Sequence, residues 1–320
     1  VTKSDIYNSA KFSGNTENND FYDYQRFLSK YGKEYSAIEM GLVSCTTKKD
    51  SNVVYDKLRA KGKELNKFRF DYIDNHPNAF LGKLFNALEE PEIPTELPTK
   101  PDGSKDSTYP REFYKSNYWK KFDFRDDRLI YAPIYERKLD DYLTKLVVPV
   151  PDTVEKEADI LLKKTEGTEE MYKYTLWYLT RWSETSKVMG MDEVFVYLVE
   201  NYYMKGKATW VDSAQLAKYE DRARKIAPNM IGQPAMDMRM LDSTDQNVVA
   251  LSSVKADYTI VIFWSPTCGH CIKEMPKFDS LYKAVLKKYN VKIFAVEAED
   301  ETEKWKTFIR EKKLGDVWIH

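Results

Sequence analysis

Between residues 21 and 42 the apolar positions Phe21, Tyr24, Leu28, Tyr31, Tyr35, Ile38 and Leu42 recur at steps of three and four. That spacing predicts one face of an amphipathic helix. Similar patterns predict helices over 53–75 and 78–88, the first ending at His76-Pro77 because a residue before proline disfavours the helical region. The stretch "EEPEIPTELPTKPDGSKDSTYP" holds five prolines and no helical period, so a long extended loop is expected there. Helical patterns resume over 111–122 and 134–146. "VPVPDT" interrupts them, with Asp152 or Thr153 available as a cap. Further helices are expected over 154–164, 169–187, 192–204 and 213–226. Residues 19–227 thus read as one helical array without a strict repeat, and the polar stretch 1–18 as an arm or the tail of a preceding domain.

After Pro228 the pattern changes. "YTIVIFW" is a continuous apolar, β-branched and aromatic run, as expected of a buried central strand. A helix is expected from Cys268 to Tyr289, then a second buried strand at "VKIFAVEA". Asp300 and Glu303 are spaced as a capping box for a helix to Lys313, and "VWIH" begins another strand. Strand, helix, strand, helix, strand implies right-handed crossovers and a mainly parallel sheet over 228–320.

Composition narrows the function classes. A net charge of -1 gives no electrostatic case for a nucleic-acid or anionic-membrane partner. No apolar run approaches the roughly 20 residues that span a bilayer. Hydrophobic residues at 42% and charged residues at 32% are an ordinary globular balance. Three cysteines are too few for a disulfide framework.

Two of those cysteines, Cys268 and Cys271, stand with two residues between them in "FWSPTCGHCIKEMPKF". As a staple the pair closes too small a loop to restrain the unfolded chain. As a metal site it lacks ligands: the chain has only His76, His270 and His320, and its remaining cysteine, Cys45, lies in the helical half. A working redox pair fits better, because the cysteines follow a buried strand and open a helix. The partial positive charge and free N–H groups of a helix start stabilise a thiolate. Cys268 is therefore expected to be the nucleophile and Cys271, one turn further in, the residue that resolves the mixed disulfide. His270, between them, would add to thiolate stability as a cation.

With "IGQPAMDMRMLD", the "FW" before the motif and C-G-H-C-x-x-E-x-P, the stretch from Ile231 resembles the thioredoxin-like proteins of bacterial envelopes, the TlpA/ResA-like branch. The helical half, through "NHPNAFLGKL" and "MGMDEVFVYLVENYY", resembles the helical region upstream of such domains in Bacteroidetes envelope proteins. The resemblance implies an all-α N-terminal domain (19–227) followed by an α/β thioredoxin-like domain (228–320). It implies a thiol–disulfide oxidoreductase acting as a periplasmic reductase of protein disulfides, served by an envelope electron donor. No cofactor is expected beyond the Cys268–Cys271 disulfide. Where thioredoxin carries a buried aspartate this chain has Ile262, and the branch's glutamate after the second cysteine falls on Glu274, expected to relay the Cys271 proton. Pro276 matches the proline that bends the active-site helix, while Trp264 and Pro266 support the motif from its N-terminal side. The family's cis-proline loop lies on a later strand than His320, so the chain is expected to be a fragment.

Other features take plainer readings. Cys45 is expected to be a packed small hydrophobe. The aromatic run 171–182 could line a groove, but its spacing suits a core face. "MKGKATW" lacks the first glycine of a phosphate loop. His76 and His320 show no partners. Two rival functions stand beside the reductase. One is an envelope binding or scaffold protein with a regulatory redox pair. The other is an oxidase or isomerase, since Gly-His between the cysteines resembles protein disulfide isomerase.

Overall fold

A computed structural model describes residues 10–299, 301–314 and 318–320. The chain separates into two compact units, Val1–Ile231 and Gly232–His320.

The first unit is helical. Helix α1 (Thr16–Met40) begins inside the stretch read as an arm, because the Asn15 side chain accepts from the Glu17 N–H and caps it. Helix α2 (Lys48–Asn75) is capped by Thr47, whose hydroxyl oxygen accepts from the Asp50 N–H. Together with α3 (Phe80–Leu88) these helices enclose a small core of Tyr24, Leu81 and Phe85, edged by Phe27, Leu65 and Phe68. Its rings meet closely: Tyr24 and Phe85 edge to face at 4.6 Å, Phe27 and Phe68 stacked at 4.4 Å. Arg69 donates to the Tyr24 hydroxyl oxygen at 2.8 Å, so the one polar atom of that core is satisfied.

A second, larger core lies among α4 (Tyr109–Asn117), α5 (Ile134–Asp141), α6 (Pro151–Lys164), α7 (Glu170–Thr185), α8 (Met191–Leu198) and α9 (Ser213–Ile226). Leu129, Tyr135, Leu139, Leu161, Met171, Leu176 and Phe195 are fully buried in it. The helical array thus holds two apolar clusters. Helices α5 and α8 each run on into a π-helical turn, Tyr142–Leu146 and Val199–Tyr203. Helix α6 starts at Pro151, so Asp152 stands in its first turn and Val150, not Asp152 or Thr153, precedes it. The proline-rich stretch is a loop as read, tightened by the Asp102–Ser104 turn and a single bridge between Thr99 and Lys105. The run 171–182 is a core face through Met171, Leu176, Tyr178 and Leu179. Its outer side, Tyr174 and Trp177, borders a recess of about 400 Å³ with Tyr203, Trp210 and Tyr219. His76 stacks on Tyr72 at 4.4 Å, and the Cys45 thiol donates to the Gly41 carbonyl at 3.3 Å.

The second unit opens with a hairpin that the pattern did not show, β1 (Arg239–Leu241) against β2 (Val248–Ala250), antiparallel. Asp242 holds its turn by accepting from the Thr244 N–H and the Asn247 amide. Strand β3 (Tyr258–Trp264) pairs in parallel with β4 (Val291–Glu297), and β4 with β5 (Trp318–Ile319). The order β3-β4-β5 makes β4 the central strand, with Ile293, Phe294 and Ala295 fully buried. Among the described residues β3 pairs on one side only and Phe263 is 62% exposed, so the central place expected for "YTIVIFW" belongs to β4. Both runs are apolar on two faces, and composition alone does not say which has two neighbours. Helices α10 (Gly269–Ala284) and α11 (Thr302–Lys312) supply Met275, Tyr282, Trp305, Phe308 and Ile309 to the core beside the sheet. Asp300 lies outside the described residues; Glu301 precedes α11 without a side-chain cap bond, and Glu303 stands in its first turn. His320 is buried, stacked on Trp318, with Nε2 at 3.3 Å from the Leu314 carbonyl; burial pushes its pKa down.

Candidate active site

Strand β3 ends at the buried Trp264, and a four-residue turn carries the chain from there into α10. The buried Ser265 organises that turn. Its hydroxyl oxygen accepts from the Thr267 N–H at 3.1 Å, and its carbonyl accepts from the Cys268 N–H at 3.3 Å. Pro266, which has no N–H to satisfy, is buried between them. Cys268 is the capping residue of α10 rather than part of its first turn: its backbone is extended (φ -74, ψ 114) and its carbonyl accepts the first helical bond, from Ile272, at 3.0 Å.

The two sulfurs therefore meet different surroundings. Cys268 and Cys271 are both part-exposed free thiols. The neighbouring Cys271 thiol and the backbone N–H groups of Cys271 and His270 lower the Cys268 pKa. These are the unpaired donors of a helix start, which favour a negative charge. The Cys271 pKa is raised, chiefly by burial, since its sulfur packs against the core of the unit. The His270 ring is exposed, and it is the backbone of His270 that serves Cys268.

Glu274 stands one turn after Cys271, with its side chain 64% exposed and paired to Lys277 at 2.8 Å. Those surroundings are those of a solvated helix carboxylate. Pro276 lies inside α10, where it cannot donate to the Ile272 carbonyl. The Trp264 indole nitrogen is buried and has no hydrogen-bond partner among the described residues.

One residue at this site escaped the sequence reading. Glu299, just past β4, accepts hydrogen bonds from the hydroxyls of Ser265 and Thr267, the latter at 2.6 Å. Both bonds lower its pKa. Its partners lie 34 and 32 residues away, so no local spacing could have revealed it. Among the described residues no group of three or more His, Cys, Asp or Glu side chains is placed to hold a metal ion, and no helix is long and apolar enough to cross a membrane.

Comparison with known proteins agrees with this division of the chain. No curated protein matches it. Among solved structures it is similar to a thioredoxin-like protein from Bacteroides caccae, at 19% identity over 70% of this chain and 88% of that one, with a TM-score of 0.49. It is also similar to a domain of a possible thiol-disulfide isomerase from Cytophaga hutchinsonii, at 35% identity and a TM-score of 0.26. That match covers 28% of this chain and 60% of the length of the other. Residues 231–317, which carry β3, β4 and the two cysteines, match the AhpC/TSA family, a thioredoxin-like family. Residues 45–229 match the domain of unknown function DUF5106; this is more than half of the chain, which therefore belongs to the DUF5106 family and carries a thioredoxin-like domain after it.

Proposed function

We propose that this protein is a thiol–disulfide oxidoreductase that reduces protein disulfides through Cys268 and Cys271. The observation that carries the reading is the placing of the pair, Cys268 capping the start of α10 and Cys271 one turn in with its sulfur against the core of the unit, which lowers the first pKa and raises the second. In the proposed cycle the Cys268 thiolate attacks a substrate disulfide, and the first substrate sulfur leaves as a thiolate. Cys271 then loses its proton and attacks the Cys268 sulfur. The second substrate sulfur leaves, two electrons have passed to the substrate, and the chain holds a Cys268–Cys271 disulfide. Glu274 enters as an acceptor of the Cys271 proton from the solvent side, an assignment supported by its place one turn along α10. Trp264, Pro266 and Pro276 shape the strand end, the turn and the helix that hold the pair.

The cycle needs a donor to return the disulfide to the dithiol, and we assign that role to an envelope electron donor. The compartment, periplasm or cell envelope, rests on the resemblance of the C-G-H-C segment to envelope proteins. The reduction potential of the full chain tests the direction. We expect a value more negative than about -200 mV, on the thioredoxin side of the range. A value near about -120 mV, that of a strong oxidant, would count against a reductase.

A further inference from the structure

We propose that Glu299 is a positioning residue of this site: it clamps the turn before Cys268 and fixes a negative charge on that turn, favouring the disulfide over the thiolate. The inference rests on the thiol-exchange reading given above.

The clamp is geometric. Ser265 is 4% exposed, and a buried hydroxyl needs a partner. It donates to Glu299, and its oxygen lies 2.8 Å from the Thr267 hydroxyl, which also donates to Glu299. One carboxylate thus gathers the hydroxyls on either side of Pro266. The Ala298 N–H donates to the Trp264 carbonyl at 2.9 Å and holds the end of β4 against the end of β3. The residue after Thr267 is Cys268.

The charge follows from the same bonds. Two hydroxyl donors favour the ionised form of Glu299, and the anion opposes ionisation of Cys268. Its charged neighbours are an anion, Glu297, and a cation, Lys304, which itself favours the Glu299 carboxylate. The Glu297 carboxylate accepts from the Glu299 N–H at 2.9 Å, and Lys304 is paired with Glu301 at 3.0 Å. A disulfide carries no charge on Cys268, whereas the reduced pair carries a negative charge there to the extent that Cys268 is ionised. An anion on that turn therefore weights the equilibrium toward the disulfide and makes the pair a better reductant.

Two variants separate charge from clamp. Glu299→Gln keeps a carbonyl oxygen to accept both hydroxyls but removes the charge. Thr267→Val keeps the charge but removes one hydroxyl. Each is placed in full-length Cys271→Ser protein, and the rate of iodoacetamide alkylation at Cys268 is followed against pH by peptide mass. Glu299→Gln is expected to move the titration to lower pH, raising the rate below the midpoint about three- to tenfold, while Thr267→Val leaves it in place or moves it up. In the chain with both cysteines, Glu299→Gln should raise the potential by about 15–30 mV, that fold-change converted at about 30 mV per tenfold. An unchanged or upward titration in Glu299→Gln overturns the proposal, as does an equal downward move in Thr267→Val. Alkylation needs no disulfide exchange, so a chain inert toward disulfides would sink the proposed function without deciding the role of Glu299.

Discussion

Glu155 and Glu299 are carboxylates whose surroundings push them in opposite directions. Glu299 is held down by two hydroxyl donors. Glu155, on α6, is pushed up to about 7, first by burial and then by Glu193, Asp152 and Asp159, with Lys156 opposing. The Tyr197 and Tyr202 hydroxyls donate to Asp159 at 2.7 and 2.6 Å. Because the folded pKa of Glu155 exceeds its ordinary 4.5, the folded chain holds the proton more tightly than the unfolded one. Its contribution to stability is complete below about 4.5 and is lost as pH rises through about 7. The buried Asp126, lowered by Arg128 and Lys83, works the other way but only at far lower pH. We expect the first unit to melt at a higher temperature at pH 6 than at pH 8. Glu155→Gln should remove most of that difference and add about 1 kcal/mol at pH 8, a figure discounted for partial exposure. Equal melting temperatures at both pH values in the unsubstituted chain would show that Glu155 is ordinary.

At the scale of elements, α1 to α3 form a core of their own around Phe85, which is 1% exposed. Leu84, beside it, borders both clusters of the first unit. Phe85→Ala should cost about 3–5 kcal/mol of local stability. Hydrogen exchange should then quicken in α1 and α2 while the helices around Tyr135 keep their protection. Loss of protection around Tyr135 as well would mean that the two clusters open as one. What the sequence disclosed at this scale followed the range of the signal. The three- and four-residue spacing marked α1 to α3 and α6 to α9, and the bounds of β3 and α9 were legible to the residue. The hairpin β1–β2 was not, because three-residue strands are too short for an alternating pattern to register. The π-helical ends of α5 and α8 were hidden as well, since one turn of wider helix keeps the same apolar spacing. The cysteine pair was legible because its two members and the helix start are neighbours in the chain. Glu299 was not, because only folding brings it to Ser265 and Thr267.

At the scale of the whole molecule, the chain joins a helical DUF5106 unit to a thioredoxin-like unit that holds the proposed chemistry. In the proposed cycle two thiols three positions apart take distinct roles, and that assignment is open to direct test. The measurement is the capture of mixed disulfides by full-length variants incubated with a disulfide-bonded protein substrate. Cys271→Ser should accumulate a covalent complex through Cys268, because the sulfur that would resolve it is gone, while Cys268→Ser should accumulate none. The complex should dissolve on adding dithiothreitol, which shows the link to be a disulfide. Capture by Cys268→Ser and not by Cys271→Ser would reverse the roles, and capture by neither would contradict thiol–disulfide exchange at this site.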